Sequence, residues 1–433
     1  MGWKDTPGRP IRFRRTALIC CALTALAFGR AHASRPLLVT VDDLPLASGR
    51  LHPDPGERAR ITEELLAALG RHEIPAVGLV TCGNIRGPGD LALLEQWLEA
   101  GHELGNHTYH HTDYTRSRIE TFLADVESCR ERLSSLLQPR GREVRFFRFP
   151  MLHEGDTPKK LEMMRGYLER SGQQNLPVTL DNQDWSYEEP WVEARRAGDE
   201  QRMHEIGEDY LAALRLSIRH HERTGDRLFG RELPQILLLH ANEVGAAHWD
   251  RLFDWLKRTG HRFVGVDELL SDPVFEETHA FVGPAGFSLW DRLAAERWEV
   301  EARQQAGAHL DRQIAAWNRG DLEAFCAGYD VDAVFITPSG ITHGRGEILS
   351  RYRRRYTDRA AMGTLKFEVI DLRPVRGVEI SMLGDSRPGR VHAVSVVARW
   401  TLAYPDRDGG AGLTQLLLHR RGEGWSIAHD ASM

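Results

Sequence analysis

From residue 37 to residue 266 the chain alternates short apolar runs with stretches of helical period, and no other feature narrows its folding options so far. LLVTV (37–41), AVGLV (76–80), VRFFRF (144–149), PVTLD (177–181), ILLLH (236–240) and HRFVGV (261–266) read as strands, with a seventh at HELGNHT (102–108). The intervening segments 57–70, 91–101, 117–137, 157–170, 191–223 and 248–260 carry helical periodicity. Strands separated by helices imply βαβ units, a parallel sheet and right-handed crossovers. Seven strands in about 240 residues favour a distorted (β/α) barrel over an open doubly wound sheet.

Near residue 273 the pattern changes. Pro273, Gly283, Pro284 and Gly286 break the periodicity, and a helix is expected over 289–318. Beyond it, AVFIT, KFEVIDLRPV, HAVSVVARWTLAY, TQLLLHRR and WSIAHD read as antiparallel strands, an α+β layout. The 433 residues therefore divide into an α/β barrel over 34–280, a linker over 281–300 and a small α+β domain over 301–433.

Residues 1–33 are read as a separate object. They carry Lys4, Arg9, Arg12, Arg14, Arg15 and Arg30 against Asp5, and then TALICCALTALAF, a 13-residue apolar run. A membrane span needs ~20 such residues. The run suits a signal peptide, with cleavage after Ala31-His32-Ala33, so export to the periplasm or beyond is expected. Losing this leader, with its net charge of +5, takes the formal charge from −6 to −11. No basic field remains to bind nucleic acid. Of five cysteines, Cys20 and Cys21 leave with the leader, and none forms a C-x-x-C. Cys82 could pair with Cys129 in an oxidising compartment, or both could be buried thiols like Cys326.

Polar clusters close several apolar strands, where barrel loops build active sites. Asp42 and Asp43 follow LLVTV; in a continuing strand neighbouring carboxylates point apart, leaving one for a metal and one as a base. In NHTYHH, His107 and His111 are four apart, which on one helical turn puts both imidazoles on one face; His110 is the bystander, though a His107–His110 pair has an admissible spacing. Arg148 ends the third such strand and could orient a carboxylate. Asp184 and Trp185 follow PVTLD, and His240 closes ILLLH; a carboxylate beside such a histidine would make it a usable acid. Each cluster has a plain structural reading as a turn, a cap or an ion pair.

Together and in this order, TVDDLP, HTYHH, RFP, DNQDW and LLLH resemble the five motifs of the polysaccharide deacetylase family, carbohydrate esterase family 4, over about residues 34–272. The resemblance implies a hydrolase in which Asp42 is the general base for a metal-bound water. It implies Asp43, His107 and His111 as ligands of a divalent metal, Zn²⁺ above all, and Arg148 as the residue orienting Asp42. His240, tuned by Asp184, would be the general acid, and Trp185, Pro150 and Met151 would contact substrate. The implied partner is an N-acetylated glycan of chitooligosaccharide or peptidoglycan type. Two departures, Leu44 in place of a glycine and Met151 in place of an aromatic, are expected at the substrate groove. His153 and Glu154 read as groove contacts or as a solvated loop.

The C-terminal residues QIAAWNRGD, AVFITPSG, GITHGRGEILSRY and WSIAHDAS resemble the cone-shaped family of nuclear transport factor 2 and ketosteroid isomerase (SnoaL-like) over about 300–433. That resemblance implies a curved sheet round a pocket, with Tyr329, His343, Trp400 and His429 as lining candidates, and a homodimer through this domain. Other functional readings are an O-acetyl esterase with the same site, a carbohydrate-binding protein without turnover, and a two-histidine, one-carboxylate iron oxygenase. The last needs a jelly roll, which the βα alternation disfavours.

Overall fold

The computed structural model describes residues 34–380, 386–422 and 424–433; the expected leader, with Cys20 and Cys21, lies outside the described residues. The first domain is built on parallel strands β1 (Arg35–Leu44), β2 (Ala76–Val80), β3 (Glu103–Asn106), β4 (Phe146–Phe147), β5 (Gln174–Asn175) and β6 (Gln235–His240), in the order β5-β4-β3-β2-β1-β6. A short β7 (His261–Phe263) pairs with the start of β1. The chain after β5 closes the ring. The Leu176 N–H donates to the Phe147 carbonyl on one side, while Leu180 bridges to Leu237 of β6 on the other. This is a distorted (β/α) barrel, held at one seam by a few hydrogen bonds.

Local chemistry sets the helix ends. Helix α1 (Pro55–Arg71) starts with Pro55 in its first turn and the Asp54 carboxylate accepting from the Glu57 N–H. Where one long helix was expected over 191–223 there are two, α5 (Glu188–Ala197) and α6 (Glu200–Phe229) in chain order, with α2 (Pro88–Glu99), α3 (Ile119–Leu137) and α4 (Pro158–Ser171) before them. The break has a physical cause. Gly198 takes a left-handed conformation (φ 68°), which ends α5, and Asp199 accepts from the Arg202 N–H to start α6. Leu37, Val39 and Val41 of β1 are fully buried between Leu65 and Leu69 of α1 and Trp249 and Phe253 of α7 (Glu243–Arg258), in the larger core.

After a short α8 (Val266–Leu270), helix α9 (Leu289–Arg319) runs for 31 residues and serves both cores. Its first turns bury Leu289, Trp290 and Leu293 against Leu233 and Val274 of the barrel. Its last turns bury Ala306, Leu310 and Trp317 in the second domain. Residues 289–300, within the expected linker, are therefore helix: Leu289, Trp290 and Leu293 pack on the barrel, and Trp298 already packs against the second core. The second domain has a six-stranded sheet in the order β10-β11-β12-β13-β8-β9. Its strands are β8 (Tyr329–Thr337), β9 (Gly340–His343), β10 (Thr364–Ile380), β11 (Ser386–Ala403), β12 (Gly410–Arg421) and β13 (Gly424–Ser432). The sheet is antiparallel except where β13 meets β8, and helices cover one face: the expected α+β cone.

Candidate active site

Strand β1 delivers two carboxylates to one cleft by breaking its own pattern. Its register with β2 shifts between Val41 and Leu44, and Asp43 has φ 65°. A regular strand would send the two side chains to opposite faces; the bulge and the left-handed residue bring both Asp42 and Asp43 to the cleft wall. The expectation of divergent carboxylates is thereby corrected. So is the placing of Leu44 at the groove: it is fully buried, packed over Gly78, where an added Cβ would lie 2.1 Å from the Leu44 Cδ1.

The loop after β3 supplies the imidazoles, and not by a helical turn. Residues 107–112 are irregular, with Thr108 at φ 66° and His111 at φ 55°. The Cys82 N–H donates to the Thr108 carbonyl at 3.1 Å and the Gly83 N–H to that of Tyr109 at 2.7 Å. Cys82 is joined by a disulfide to Cys129 of α3. His110 turns away to Asp125 of the same helix, with Nδ1 2.5 Å from Oδ1. His107 and His111 converge instead, ring centroids 5.0 Å apart. His107 donates from Nδ1 to the Arg148 carbonyl at 2.9 Å, which fixes its tautomer and leaves Nε2 bare toward the cleft.

Asp43 Oδ1 lies 3.5 Å from His111 Nε2, 3.9 Å from His107 Nε2 and 2.8 Å from the Thr81 hydroxyl that donates to it. Burial raises the Asp43 carboxyl, but His111, His107 and His240 outweigh it and hold its pKa at about 2. Burial, aided by His111 against the pull of Asp42 and Asp43, holds His107 down at about 4. At neutral pH the group thus offers a carboxylate and an unprotonated imidazole, the states a cation requires. Three ligand atoms within 4.8 Å of one another suit a common ion at bond lengths of about 2.0–2.2 Å, so the residues fit a divalent metal. Another such group among the described residues, His52, Glu57 and Glu243, is bound up in ion pairs with Glu188, Arg60 and Arg195.

Beside the donors, Arg148 is almost fully buried and holds Asp42. One guanidinium nitrogen donates to Asp42 Oδ1 and to the Thr40 hydroxyl, each at 2.7 Å, while Nε donates to the Leu176 carbonyl at 3.1 Å. Asp42 Oδ2 remains directed toward the His107 edge, 3.6 Å from Nε2. His240, the register partner of Asp42 on β6, is clamped by Asp184. The imidazole Nδ1 donates to Oδ1 at 2.6 Å and the His240 N–H to Oδ2 at 2.8 Å. Burial alone would lower the His240 pKa; Asp184, with help from Asp43 and Asp42, reverses that and lifts it to about 10. His240 is therefore a cation at neutral pH.

Asp42, Asp43, His107, His111 and His240 line a cleft of about 550 Å³, with Arg148 and Asp184 behind its wall. Trp185 (55% exposed) and Met151 (45% exposed) form part of its wall, as do Leu152 and His153. Pro150 is buried beneath the wall and is not among its lining residues. Glu154 is no solvated loop residue. It pairs with His279 at 3.2 Å and Arg292 at 3.5 Å, and these hold it at about 2 against burial. Thr81, which orients Asp43, carries the same signal as the others, a polar residue closing an apolar strand. Ala285 and Gly286 also line the cleft, and no local pattern marks them.

A second cavity of about 290 Å³ opens in the C-terminal domain. Tyr329 and Trp400 line it, but His343 and His429 are exposed on strands and do not. Asp430 takes the polar position instead, accepting from the Tyr329 hydroxyl at 2.6 Å and from Thr414 at 2.8 Å. Strand alternation sends His429 outward because its neighbour Asp430 points in.

Residues 29–167 match the family model for polysaccharide deacetylase, and residues 310–420 match that for the SnoaL-like domain. Among solved structures, the chain is similar to peptidoglycan deacetylase PdaC from Bacillus subtilis, at 17% identity over 55% of this chain and 90% of that one, TM-score 0.35. It is similar to a CE4 family pseudoenzyme from Bacillus anthracis, at 16% identity over 55% and 66%, TM-score 0.39. An NTF-2-like protein of unknown function from Shewanella oneidensis shares 28% identity over 30% of this chain and 98% of its own, TM-score 0.25. No curated protein matches the chain.

Proposed function

For a chain that carries a polysaccharide deacetylase domain and a SnoaL-like domain, we propose that the barrel cleft hydrolyses acetyl groups from an N-acetylated glycan of chitooligosaccharide or peptidoglycan type. Asp43, His107 and His111 would hold its cofactor, a divalent cation; two nitrogens and one oxygen suit Zn²⁺. When bound, that cation supplies Lewis-acid stabilisation of the acetyl oxygen and makes water more acidic. One observation carries the reading. The donor set, a carboxylate held by a buried arginine and a cationic histidine held by a buried carboxylate all face one cleft.

The residues divide the reaction between them. Arg148 occupies Asp42 Oδ1, so Oδ2 is the atom positioned to accept a proton from the attacking water. An amide nitrogen is a poor leaving group and must be protonated as the C–N bond breaks. His240 is charged at neutral pH, anchored at Nδ1, and offers its remaining N–H to that nitrogen. Trp185 presents an apolar face against which an acetylated sugar packs.

The site is proposed to work outside the cytoplasm. The N-terminal leader supports this, and so does the Cys82–Cys129 disulfide, a bond that persists in oxidising compartments. Pairing of two copies through the C-terminal domain is part of the same proposal; Val331 on β8 and Ile341 on β9, 71% and 61% exposed, support it.

The test is acetate release by the purified full chain from chitooligosaccharides, peptidoglycan and acetylxylan, with and without chelator. Chelator-sensitive release from the N-acetylated glycans is expected. Release from acetylxylan alone would make the protein an O-acetyl esterase, and binding without release would make it a carbohydrate-binding protein; either result overturns the proposal.

A further inference from the structure

The segment that joins the two domains is built into the cleft. Ala285 and Gly286 line it beside Met151 and Leu152. At Gly286 the two backbones touch: an added Cβ would lie 1.8 Å from the Met151 carbonyl oxygen. No sugar residue can pass between them, and no side chain larger than hydrogen fits there.

Four ties hold this contact. The Gly283 N–H donates to the Gly155 carbonyl at 3.2 Å, and the Leu289 N–H to that of Val178 at 2.7 Å. His279 and Arg292 both face Glu154. Arg292, in the first turn of α9 and 97% buried, is the centre of the clasp. One guanidinium NH2 donates to the Leu152 carbonyl, and its Nε donates to the Phe287 carbonyl at 2.9 Å. It therefore bridges the cleft loop to the joining segment.

The loop being held needs holding. Met151 and Leu152 are consecutive residues with φ of 54° and 55°, in the region that non-glycine side chains rarely adopt. Such conformations are unfavourable for side chains with a Cβ and persist only where the surroundings impose them. Here the imposing groups are Arg292 and the backbone at Gly286.

We propose that residues 285–292 form a wall that ends the cleft on the Met151 side, with Arg292 as its positioning residue. The site then takes a short acetylated oligosaccharide, or the end of a chain, instead of the interior of a long polymer. The inference rests on the deacetylase reading for its substrate and on the geometry above for the wall. It ties the catalytic cleft to α9, the helix whose other end lies in the C-terminal core.

The test uses the full chain, its Arg292→Gln, Arg292→Lys and Gly286→Ala variants, and an N-acetylated chitopentaose beside the soluble polymer. Mass spectrometry locates the sugar that loses its acetyl group. The unaltered protein should act at one fixed position near a chain end and prefer the pentasaccharide. Losing a charge-assisted hydrogen bond should raise KM for the pentasaccharide about tenfold in Arg292→Gln, with kcat and cation content little changed. The position of cleavage should spread in Arg292→Gln and in Gly286→Ala, and Arg292→Lys should recover much of the selectivity. Unchanged position and oligomer preference in both Arg292→Gln and Gly286→Ala overturn the wall, as does equal action by the unaltered protein on interior polymer sites. If no glycan releases acetate, the proposed activity fails, and the wall is judged by calorimetric binding of the pentasaccharide: weaker in Arg292→Gln supports it, equal affinity overturns it.

Discussion

Replacing Asp184 by Asn removes the charge that makes His240 a cation and keeps the side chain's size. In the native chain both His240 contacts with Asp184 are short and Asp184 is fully enclosed. The pair lifts the His240 pKa from 6.5 to about 10 despite burial, whose own effect is to lower it. At 1.36 kcal/mol per pKa unit this rise amounts to about 5 kcal/mol, the upper end of the 3–5 kcal/mol expected on breaking a buried pair. The sign follows from linkage. A folded-state pKa above the unfolded value contributes stability that is complete below pH 6.5 and is lost as pH rises through about 10. In Asp184→Asn, burial opposes only the more distant Asp42 and Asp43, and the histidine titrates near its ordinary pKa. Urea unfolding of cation-free protein, disulfide intact, should show the native chain more stable by about 3–5 kcal/mol at pH 6. That advantage should shrink by about 1.4 kcal/mol per pH unit above neutrality and vanish near pH 10. A stability difference that stays constant from pH 6 to pH 10 would refute the reasoning, because it would mean that His240 carries no charge worth defending. Acetate release should follow suit, its high-pH limb moving from near 10 down toward 6.5.

Three further outcomes are expected. Asp42→Asn should cut acetate release by about 10²–10⁴-fold with metal content measured by emission spectrometry unchanged, since the proposed reaction assigns the proton to Asp42 and the ion to Asp43. His107→Ala should abolish stoichiometric Zn²⁺ binding in calorimetry; retained one-to-one metal would show that the ligand set is wrong. Cys82→Ala opens a loop of 47 residues, worth about 4 kcal/mol on the chain-entropy scale, and should lower the urea midpoint. It should weaken Zn²⁺ binding too, because the disulfide anchors the backbone at residue 82, whose N–H holds the Thr108 carbonyl in the loop that carries His107 and His111.

Much of this molecule is legible in its sequence, for reasons that differ by feature. Apolar runs such as AVGLV and ILLLH announce buried parallel strands because such strands are covered on both faces, and they appear as β2 and β6. A polar residue closing such a run, Thr81 or His240, stands at a strand end because a strand interior would leave it unsatisfied. What local pattern misleads about is direction. Period-two alternation separates Asp42 from Asp43, and helical spacing aligns His107 with His111, yet the first pair converges through a bulge and a left-handed residue and the second through an irregular loop. Backbone conformations of that kind are imposed by contacts distant in sequence, such as the hydrogen bonds from Cys82 and Gly83.

By itself, then, the sequence determined the alternation of strand and helix through the first part of the chain, the change to antiparallel strands beyond it and the residue types gathered at the strand ends, since each depends on burial and period along a short stretch. Only the tertiary structure decided which atoms face the cleft, how far Asp184 lifts His240, that Gly286 lines the cleft and that Arg292 bonds the Leu152 carbonyl in its wall. Those properties arise where segments distant in the chain, 56 residues apart for Asp184 and His240 and 140 for Leu152 and Arg292, come within hydrogen-bond distance, and a local pattern of apolar and polar residues carries no record of such a meeting.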